Sequence, residues 1–147
     1  MSQADKPDRR AVVQYAGDDF FVGVTPSGHA QVIETDTTRA AAATPMELLL
    51  IALGGCTAVD VVSILKKKRE RVTGYRVEVR GTRRDEHPRA YTRIEVRHLL
   101  RGRNLSERAV RQAVELSEEK YCSVAATLRP TAEIVSSFEI AEDDTPE

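Results

Sequence analysis

The segment that decides the fold spans residues 44–65 and reads TPMELLLIALGGCTAVDVVSIL. Its start is typical of a helix N-terminus. Thr44 can cap the helix, Pro45 loses no hydrogen bond at the first helical position, and Glu47 can complete a capping box. A basic run at 66–69 follows, and cations there favour the negative end of the helix dipole. We therefore predict one long helix over this segment.

The predicted helix is apolar on nearly every side, which is typical either of a membrane span or of a helix at the centre of a soluble fold. Gly54, Gly55 and Asp60 weaken the apolar run, so we favour the second interpretation and expect no membrane association. A domain of 147 residues has little surface with which to cover such a helix on all sides. A second copy of the chain is the natural cover, and this predicts a homodimer.

Composition limits the classes of partner. Charged residues make up 31% of the chain and the formal net charge is −1, so no global basic field indicates nucleic acid. The first ten residues lack the apolar core of a secretory signal, and we expect a cytoplasmic protein. In that reducing compartment Cys56 and Cys122 are expected to be reactive, ligating or buried rather than a permanent disulfide.

Short β-type patterns lie on both sides of the helix. Residues 12–33 contain three short apolar runs that are separated by turn signals, which predicts a three-stranded meander. Residues 75–80 and 93–97 alternate apolar and charged side chains. This period is typical of strands with one solvent-exposed face. We therefore expect a long hairpin after the helix.

A second helix and a last strand complete the predicted order. Asn104 or Ser106 can cap an amphipathic helix that ends near Cys122, and apolar residues at 134–140 mark the strand. The order βββ-α-ββ-α-β has no regular βαβ alternation, so the sequence predicts an α+β fold.

The chain has the pattern of one domain with two tails. Residues 1–9 and 141–147 are polar and have no apolar period, so we expect them to be disordered. The single domain is predicted to span residues 10–140, an ordinary length for one domain.

Cys56 and Cys122 are the residues best suited to chemistry, although both also suit packing. Cys56 follows two glycines inside the apolar helix, where a small core thiol is the simpler interpretation. A nucleophilic role needs a cation or hydrogen-bond donors that favour the thiolate. The separation of the two cysteines matches no Cys-x-x-Cys redox or zinc spacing, so they act as a pair only if folding brings them together.

The other polar candidates are weaker. His29, His87 and His98 show no ligand spacing, so we expect no metal site and no Cys–His nucleophile. Asp60 follows Cys56 by one helical turn on the same face. A structural hydrogen bond is its simpler role, because a carboxylate beside a thiolate opposes ionisation.

The contexts of the two cysteines resemble the OsmC/Ohr family, most closely its YhfA-like branch. The matching stretches are TPMELL and ALGGCT, which lead to Cys56, and YCSV around Cys122. The resemblance covers about residues 10–140. It implies an intertwined homodimer with central buried helices and two sites at the interface.

The resemblance also implies a peroxidase that reduces organic hydroperoxides. Cys56 would attack as a thiolate and become a sulfenic acid, and Cys122 would resolve it as a disulfide. A dithiol reductant, a lipoylated protein in the better-known members, would restore both thiols. The resemblance implies no metal or organic cofactor.

Active members of this family place an Arg and a Glu beside the reactive cysteine. The guanidinium stabilises the thiolate and the carboxylate holds the Arg. The family Glu lies ten residues before the cysteine, where this chain has Met46, so the candidate here is Glu47. Arg39, in the loop before the helix, is the candidate cation. The alternative function is a non-enzymatic stress protein that binds a small apolar ligand in the dimer groove, with the cysteines as packing groups.

Overall fold

The computed structural model describes residues 9–146. Residues 1–8 of the predicted N-terminal tail, and residue 147, lie outside this range. The elements in chain order are β1 (Val12–Gly17), β2 (Phe20–Val24), β3 (Ala30–Glu34), α1 (Pro45–Lys67), β4 (Arg71–Arg83), β5 (Tyr91–Arg103), α2 (Glu107–Leu116), a π-helical turn (Ser117–Tyr121), α3 (Ser123–Leu128) and β6 (Glu133–Glu142).

This order confirms the predicted α+β class and the βββ-α-ββ-α-β sequence of elements. The predicted second helix is divided, because the π-helical turn and Cys122 separate α2 from α3. The cap of α2 is Ser106, whose Oγ accepts from the backbone N–H of Ala109 at 3.1 Å. The last strand extends to Glu142, two residues past the predicted end of the domain.

The described part of the chain forms two compact units, which divide between Leu48 and Leu49. The prediction of one domain over residues 10–140 stays a prediction. In the first unit β1, β2 and β3 form an antiparallel meander. The turn between β1 and β2 holds Gly17, Asp18 and Asp19 at positive φ, and Gly and Asp are among the residues that enter this backbone region most easily.

The second unit contains a sheet of order β4-β5-β6, with β5 in the centre. Strand β4 pairs with β5 antiparallel, and β5 pairs with β6 parallel. One face of β5 is buried, as its period-two pattern requires, and it contributes Ile94, Val96, His98 and Leu100 to the interior.

Helices cover the buried face of this sheet. Helix α1 buries residues four apart, including Leu53, Thr57, Val61 and Leu65, which form one stripe of a 3.6-residue helix. Val61 and Leu65 join a core cluster with Leu100 of β5 and with Val110, Ala113 and Val114 of α2. Full burial of each Val or Leu side chain contributes about 1.5–3 kcal/mol, so this contact fixes the position of α1 within the second unit.

Helix α1 is also long and apolar enough to cross a membrane, by length and composition. Core helices of soluble proteins share these two properties. The predicted start and end of α1 are both observed, since Glu47 lies in its first turn and Lys66 and Lys67 lie in its last.

Candidate active site

Helix α1 presents Cys56 and Asp60 along one edge of its buried stripe. The two residues are one turn apart, so their side chains lie on the same helix face. Both are partly exposed, whereas Thr57 between them is buried. A partly exposed thiol can be reached from solvent while its backbone stays fixed in a packed helix.

Cys122 is positioned by the break between α2 and α3. Its backbone is extended, and its N–H donates to the carbonyl of Ser117 across the π-helical turn at 2.8 Å. Its sulfur accepts from the N–H of Ala125 at 3.4 Å, which caps α3. The side chain is only 3% exposed. Single π-helical turns are frequent at functional sites, and this one turns the Cys122 side chain into the interior.

The fold brings the two cysteines together, although the chain separates them widely. The sulfur of Cys56, the sulfur of Cys122 and a carboxylate oxygen of Asp60 all lie within 4.8 Å of one another. Both cysteines are free thiols. A disulfide has an S–S distance of about 2.05 Å, so the two sulfurs must approach each other by up to about 2.8 Å to form one.

Hydrogen bonds hold the carboxylate of this cluster in place. The Ser117 hydroxyl donates to Oδ2 of Asp60 at 2.9 Å. The hydroxyl oxygens of Thr57 and Ser117 are 2.8 Å apart. Because the proton of Ser117 is used on Asp60, Thr57 donates to Ser117. The relay Thr57–Ser117–Asp60 therefore connects α1 to the π-helical turn and fixes the rotation of the carboxylate.

The environment distinguishes the two thiols. Burial raises the pKa of Cys122 to about 11. The N–H of Ala125 opposes this change, while the Cys56 thiol and the negative charge of Asp60 raise the pKa further. Cys122 is therefore a protonated thiol at neutral pH, and the more accessible Cys56 is better placed for a first attack on a substrate.

The space behind Cys122 is too small for an organic substrate. Its lining includes Leu53, Val96, Cys122 and Ala125, and its volume is about 10 Å³. That is close to the minimum for one water molecule. Substrates must therefore approach the cluster from the exposed side of Cys56 and Asp60.

A second polar pair lies in the core of the same unit. Tyr75 Oη and His98 Nδ1 share a hydrogen bond of 2.6 Å. Burial lowers the pKa of His98 to about 4, and burial together with the charge of Asp60 raises the pKa of Tyr75. Both groups are neutral at physiological pH. Within residues 9–146, His98 Nε2 has no hydrogen-bond partner.

Arg39 lies in the first unit, where acidic groups hold its guanidinium. Its Nε donates to Oε1 of Glu34. Its Nη1 donates to Oδ2 of Asp18 at 2.8 Å, and its Nη2 donates to the Asp18 carbonyl at 2.6 Å. The guanidinium also lies 4.1 Å from the centroid of the Phe20 ring, a distance typical of a cation–π contact. The orientation of Arg39 is thus fixed by several contacts.

Glu34 is the carboxylate that holds Arg39. Its side chain is 1% exposed and also accepts from the N–H groups of Ala41 at 2.5 Å and Ala42 at 2.9 Å. Burial pushes the pKa of Glu34 upward, but the hydrogen bonds from Arg39, Ala41 and Ala42 outweigh it and the pKa lies below its ordinary value. A charged Glu34 therefore ties Arg39 to the start of the loop that leads to α1.

Glu47 forms hydrogen bonds at the start of α1. Its carboxylate accepts from the N–H of Thr44 at 3.0 Å, and its own N–H donates to the Thr44 hydroxyl at 3.2 Å. This reciprocal pair is the predicted capping box. The buried carboxylate that contacts Arg39 is that of Glu34, and the catalytic role predicted for Glu47 stays a prediction.

Comparison with known proteins establishes the family. The family model described as OsmC-like protein matches residues 36–137, a range that contains both cysteines. Protein YhfA of Escherichia coli strain K12 is 44% identical over 120 residues, which cover 82% of this chain and 89% of the relative. The chain belongs to the OsmC-like protein family. The resemblance predicted from the two cysteine contexts is confirmed.

Solved structures share the fold of this OsmC-like protein. A hypothetical protein of Aquifex aeolicus VF5 is 33% identical and has a TM-score of 0.84, covering 95% of this chain and 100% of that chain. The organic hydroperoxide resistance protein OhrB of Bacillus subtilis is 11% identical and has a TM-score of 0.63, covering 90% and 98% of the two chains. The predicted OsmC/Ohr-like fold is therefore confirmed.

Sequence reasoning missed three residues that organise this OsmC-like protein: Ser117, Thr57 and Glu34. A signal for Ser117 was present, because it continues the apolar stripe of Val110, Ala113 and Val114. A hydroxyl on a buried stripe needs an internal hydrogen-bond partner. The sequence did not indicate that this partner is Asp60, since the two residues lie in different helical segments.

Proposed function

We propose that this OsmC-like protein is a thiol-dependent peroxidase that reduces organic hydroperoxides. The observation that carries the proposal is the approach of the two free thiols, Cys56 and Cys122, to within 4.8 Å. A pair at this distance can alternate between dithiol and disulfide. The description of the Bacillus subtilis OhrB as an organic hydroperoxide resistance protein supports the substrate class.

The two cysteines have separate roles in this proposal. Cys56 is the attacking residue because it is partly exposed. Cys122 is the resolving residue because it is buried and its pKa of about 11 keeps it protonated until a partner sulfur is presented. Cys122 is thereby protected from direct oxidation, since the thiolate is the reactive form.

The proposed cycle has three steps. The Cys56 thiolate attacks one peroxide oxygen, so that an S–O bond forms, the O–O bond breaks and an alcohol leaves after taking a proton. The Cys122 sulfur then attacks the Cys56 sulfenic acid. An S–S bond forms, the S–O bond breaks, and the hydroxyl leaves as water with the Cys122 proton. An external dithiol, such as a lipoylated protein, reduces the disulfide and is itself oxidised.

Arg39 stays the predicted cation for the Cys56 thiolate. Its fixed guanidinium supports this prediction, because a planar fork held by carboxylates can stabilise an anion without first being ordered. Glu34, which holds the guanidinium, takes the supporting role that the sequence analysis gave to Glu47. We expect Arg39→Gln and Glu34→Gln to lower kcat/KM, and Glu47→Gln to affect the stability of α1 more than catalysis.

A second copy of the chain is the proposed partner of α1. Ile51 and Val59 lie outside the core stripe of α1 and are 64% and 70% exposed. Exposed apolar patches of this kind mark interfaces. In a homodimer these residues are covered, and a cytoplasmic location fits the free thiols. Sedimentation of Val59→Asp is expected to show a monomer, while Val135→Asp, on the outer face of the sheet, should remain a dimer.

The experiment that tests the enzyme follows the consumption of cumene hydroperoxide with dihydrolipoamide as the reductant. We expect turnover by the wild-type protein and none by Cys56→Ser. With the dithiol left out, Cys122→Ser should consume about one peroxide per chain and accumulate a sulfenic acid that dimedone traps. Ser137→Ala, an exposed change on the outer face of β6, serves as the control and should keep the wild-type rate.

Two results would contradict the proposal. One is the absence of hydroperoxide consumption by the fully reduced wild-type protein. The other is an unchanged rate in Cys56→Ser. Either result would leave the non-enzymatic binding protein as the better description of this chain.

A further inference from the structure

The atoms that suit disulfide chemistry also have the arrangement of metal ligands. Two sulfurs and one carboxylate oxygen, from Cys56, Cys122 and Asp60, lie within 4.8 Å of one another. In a tetrahedral zinc site the Zn–S and Zn–O bonds are about 2.3 Å and 2.0–2.2 Å long, so neighbouring ligand atoms are about 3.6–3.8 Å apart. Movements of about 1 Å bring the three atoms to those distances.

We propose that Cys56, Cys122 and Asp60 form a Zn²⁺ site in the reduced protein, with a water molecule as the fourth ligand. Two thiolates select a thiophilic ion over Mg²⁺ or Ca²⁺, which prefer oxygen ligands. Three protein ligands with one open position are typical of zinc sites that exchange their fourth ligand. The absence of histidine spacing in the sequence does not bear on this site, because no histidine takes part.

The surrounding hydrogen bonds support the ligands as a metal site requires. Ser117 donates to Oδ2 of Asp60, so the carboxylate cannot rotate freely, and Thr57 holds Ser117 in turn. Partners of this kind orient metal ligands and often determine a large part of the affinity. Cys56 and Asp60 share one face of α1, and the N–H of Cys122 is tied to Ser117. The backbone of each ligand residue is therefore held in place by the surrounding fold.

Access and charge also fit a cation. Cys56 and Asp60 are partly exposed while Cys122 is buried, so an ion can enter from the solvent side and reach the inner sulfur last. The carboxylate of Asp60 attracts a divalent cation, and the bound ion displaces the protons of the thiols that ligate it, so the affinity should fall as the pH is lowered. A bound Zn²⁺ would use the electron pairs of both sulfurs, so metal binding and disulfide formation exclude each other. The site does not depend on the peroxidase proposal.

Cobalt is the probe that tests the site, because Co²⁺ has visible transitions that depend on its geometry, whereas Zn²⁺ has none. The reduced, full-length protein is titrated with Co²⁺ without oxygen. We expect one ion per chain, a thiolate-to-cobalt charge-transfer band in the near ultraviolet and the visible bands of tetrahedral Co²⁺. One equivalent of Zn²⁺ should remove these bands, since thiolate sites bind Zn²⁺ more tightly than Co²⁺.

Variants distinguish metal binding at the proposed site from unspecific binding of metal to thiols. Cys56→Ser and Cys122→Ser should each lose half or more of the charge-transfer intensity. Asp60→Asn, and Ser117→Ala through the orientation of Asp60, should weaken Zn²⁺ binding by about 10–100-fold. Asp85→Asn, an exposed acidic residue of the β4–β5 turn, is the matched control and should bind as the wild type does.

Oxidation of the wild-type protein with diamide supplies a second measurement that needs no substitution. The disulfide form should show no cobalt bands, and reduction should restore them. Wild-type affinity in Asp60→Asn, an unchanged spectrum in either cysteine variant, or full binding after oxidation would overturn the proposal. Normal cobalt binding in a protein without peroxidase activity would refute the proposed enzyme alone.

Discussion

The rate of alkylation of Cys122 in a Cys56→Ser variant measures how strongly the fold lowers the reactivity of this thiol. The chain contains two cysteines, so the variant reports on Cys122 alone. Burial is the largest cause of its raised pKa, and burial is retained in the variant. The expected result is a slow reaction in the folded protein whose rate keeps rising at alkaline pH.

The magnitude follows from the fraction of thiolate. A thiol of ordinary pKa 9.0 is ionised to about one part in 30 at pH 7.5, whereas a pKa of about 11 leaves about one part in 3,000. The Cys56 thiol also raises this pKa, and the variant lacks it. Because the thiolate is the nucleophile, the fraction of thiolate predicts that folded Cys122 reacts more slowly than the same residue in the unfolded chain, with about 100-fold as the upper limit.

The assay is a time course with iodoacetamide, read by the mass of the intact protein at pH values from 7 to 10.5. The unfolded reference is the same variant in guanidinium chloride. In the folded protein the rate should rise about tenfold per pH unit through pH 10, since the thiol is still mainly protonated there. A plateau at or below pH 9, or a folded rate close to the unfolded one at pH 7.5, would refute the reasoning that assigns Cys122 the resolving role.

Two further predictions concern buried charge and buried imidazole. His98 has a pKa of 6.5 in the unfolded chain and of about 4 in the folded chain. Unfolded molecules therefore bind more protons between these pH values. The free energy of unfolding falls as the pH drops from 6.5 to 4, by at most about 3 kcal/mol. In urea unfolding at fixed protein concentration, His98→Leu should lose this component of the pH dependence, and exposed His29→Gln should keep it. If the free energy of unfolding changed equally with pH in the wild type and both variants, His98 would not be its source. Glu34→Gln removes the charge that holds Arg39, so trypsin should cleave after Arg39 faster than in the wild type, and an unchanged cleavage rate would show that the loop is held by other contacts.

The long helix illustrates what local sequence can determine. Thr44 and Glu47 predict its start, and the basic run after Leu65 predicts its end, because caps and terminal charges act between neighbouring residues. The observed helix, Pro45–Lys67, has these bounds. The alternation of apolar and charged residues in β4 and β5 and the apolar stripe of α2 could also be predicted, because each depends on the period of a single element. The order of elements and the α+β class follow from the same local patterns.

The sequence by itself thus determined the elements, their order and the two residues suited to chemistry. Only the tertiary structure decided that Cys56 meets Cys122 and Asp60, that a π-helical turn breaks the second helix at Ser117, and that Glu34 holds Arg39. The physical reason is that these relations join distant segments. They depend on how helices and strands pack and on which polar groups are buried together, and no local period carries that information.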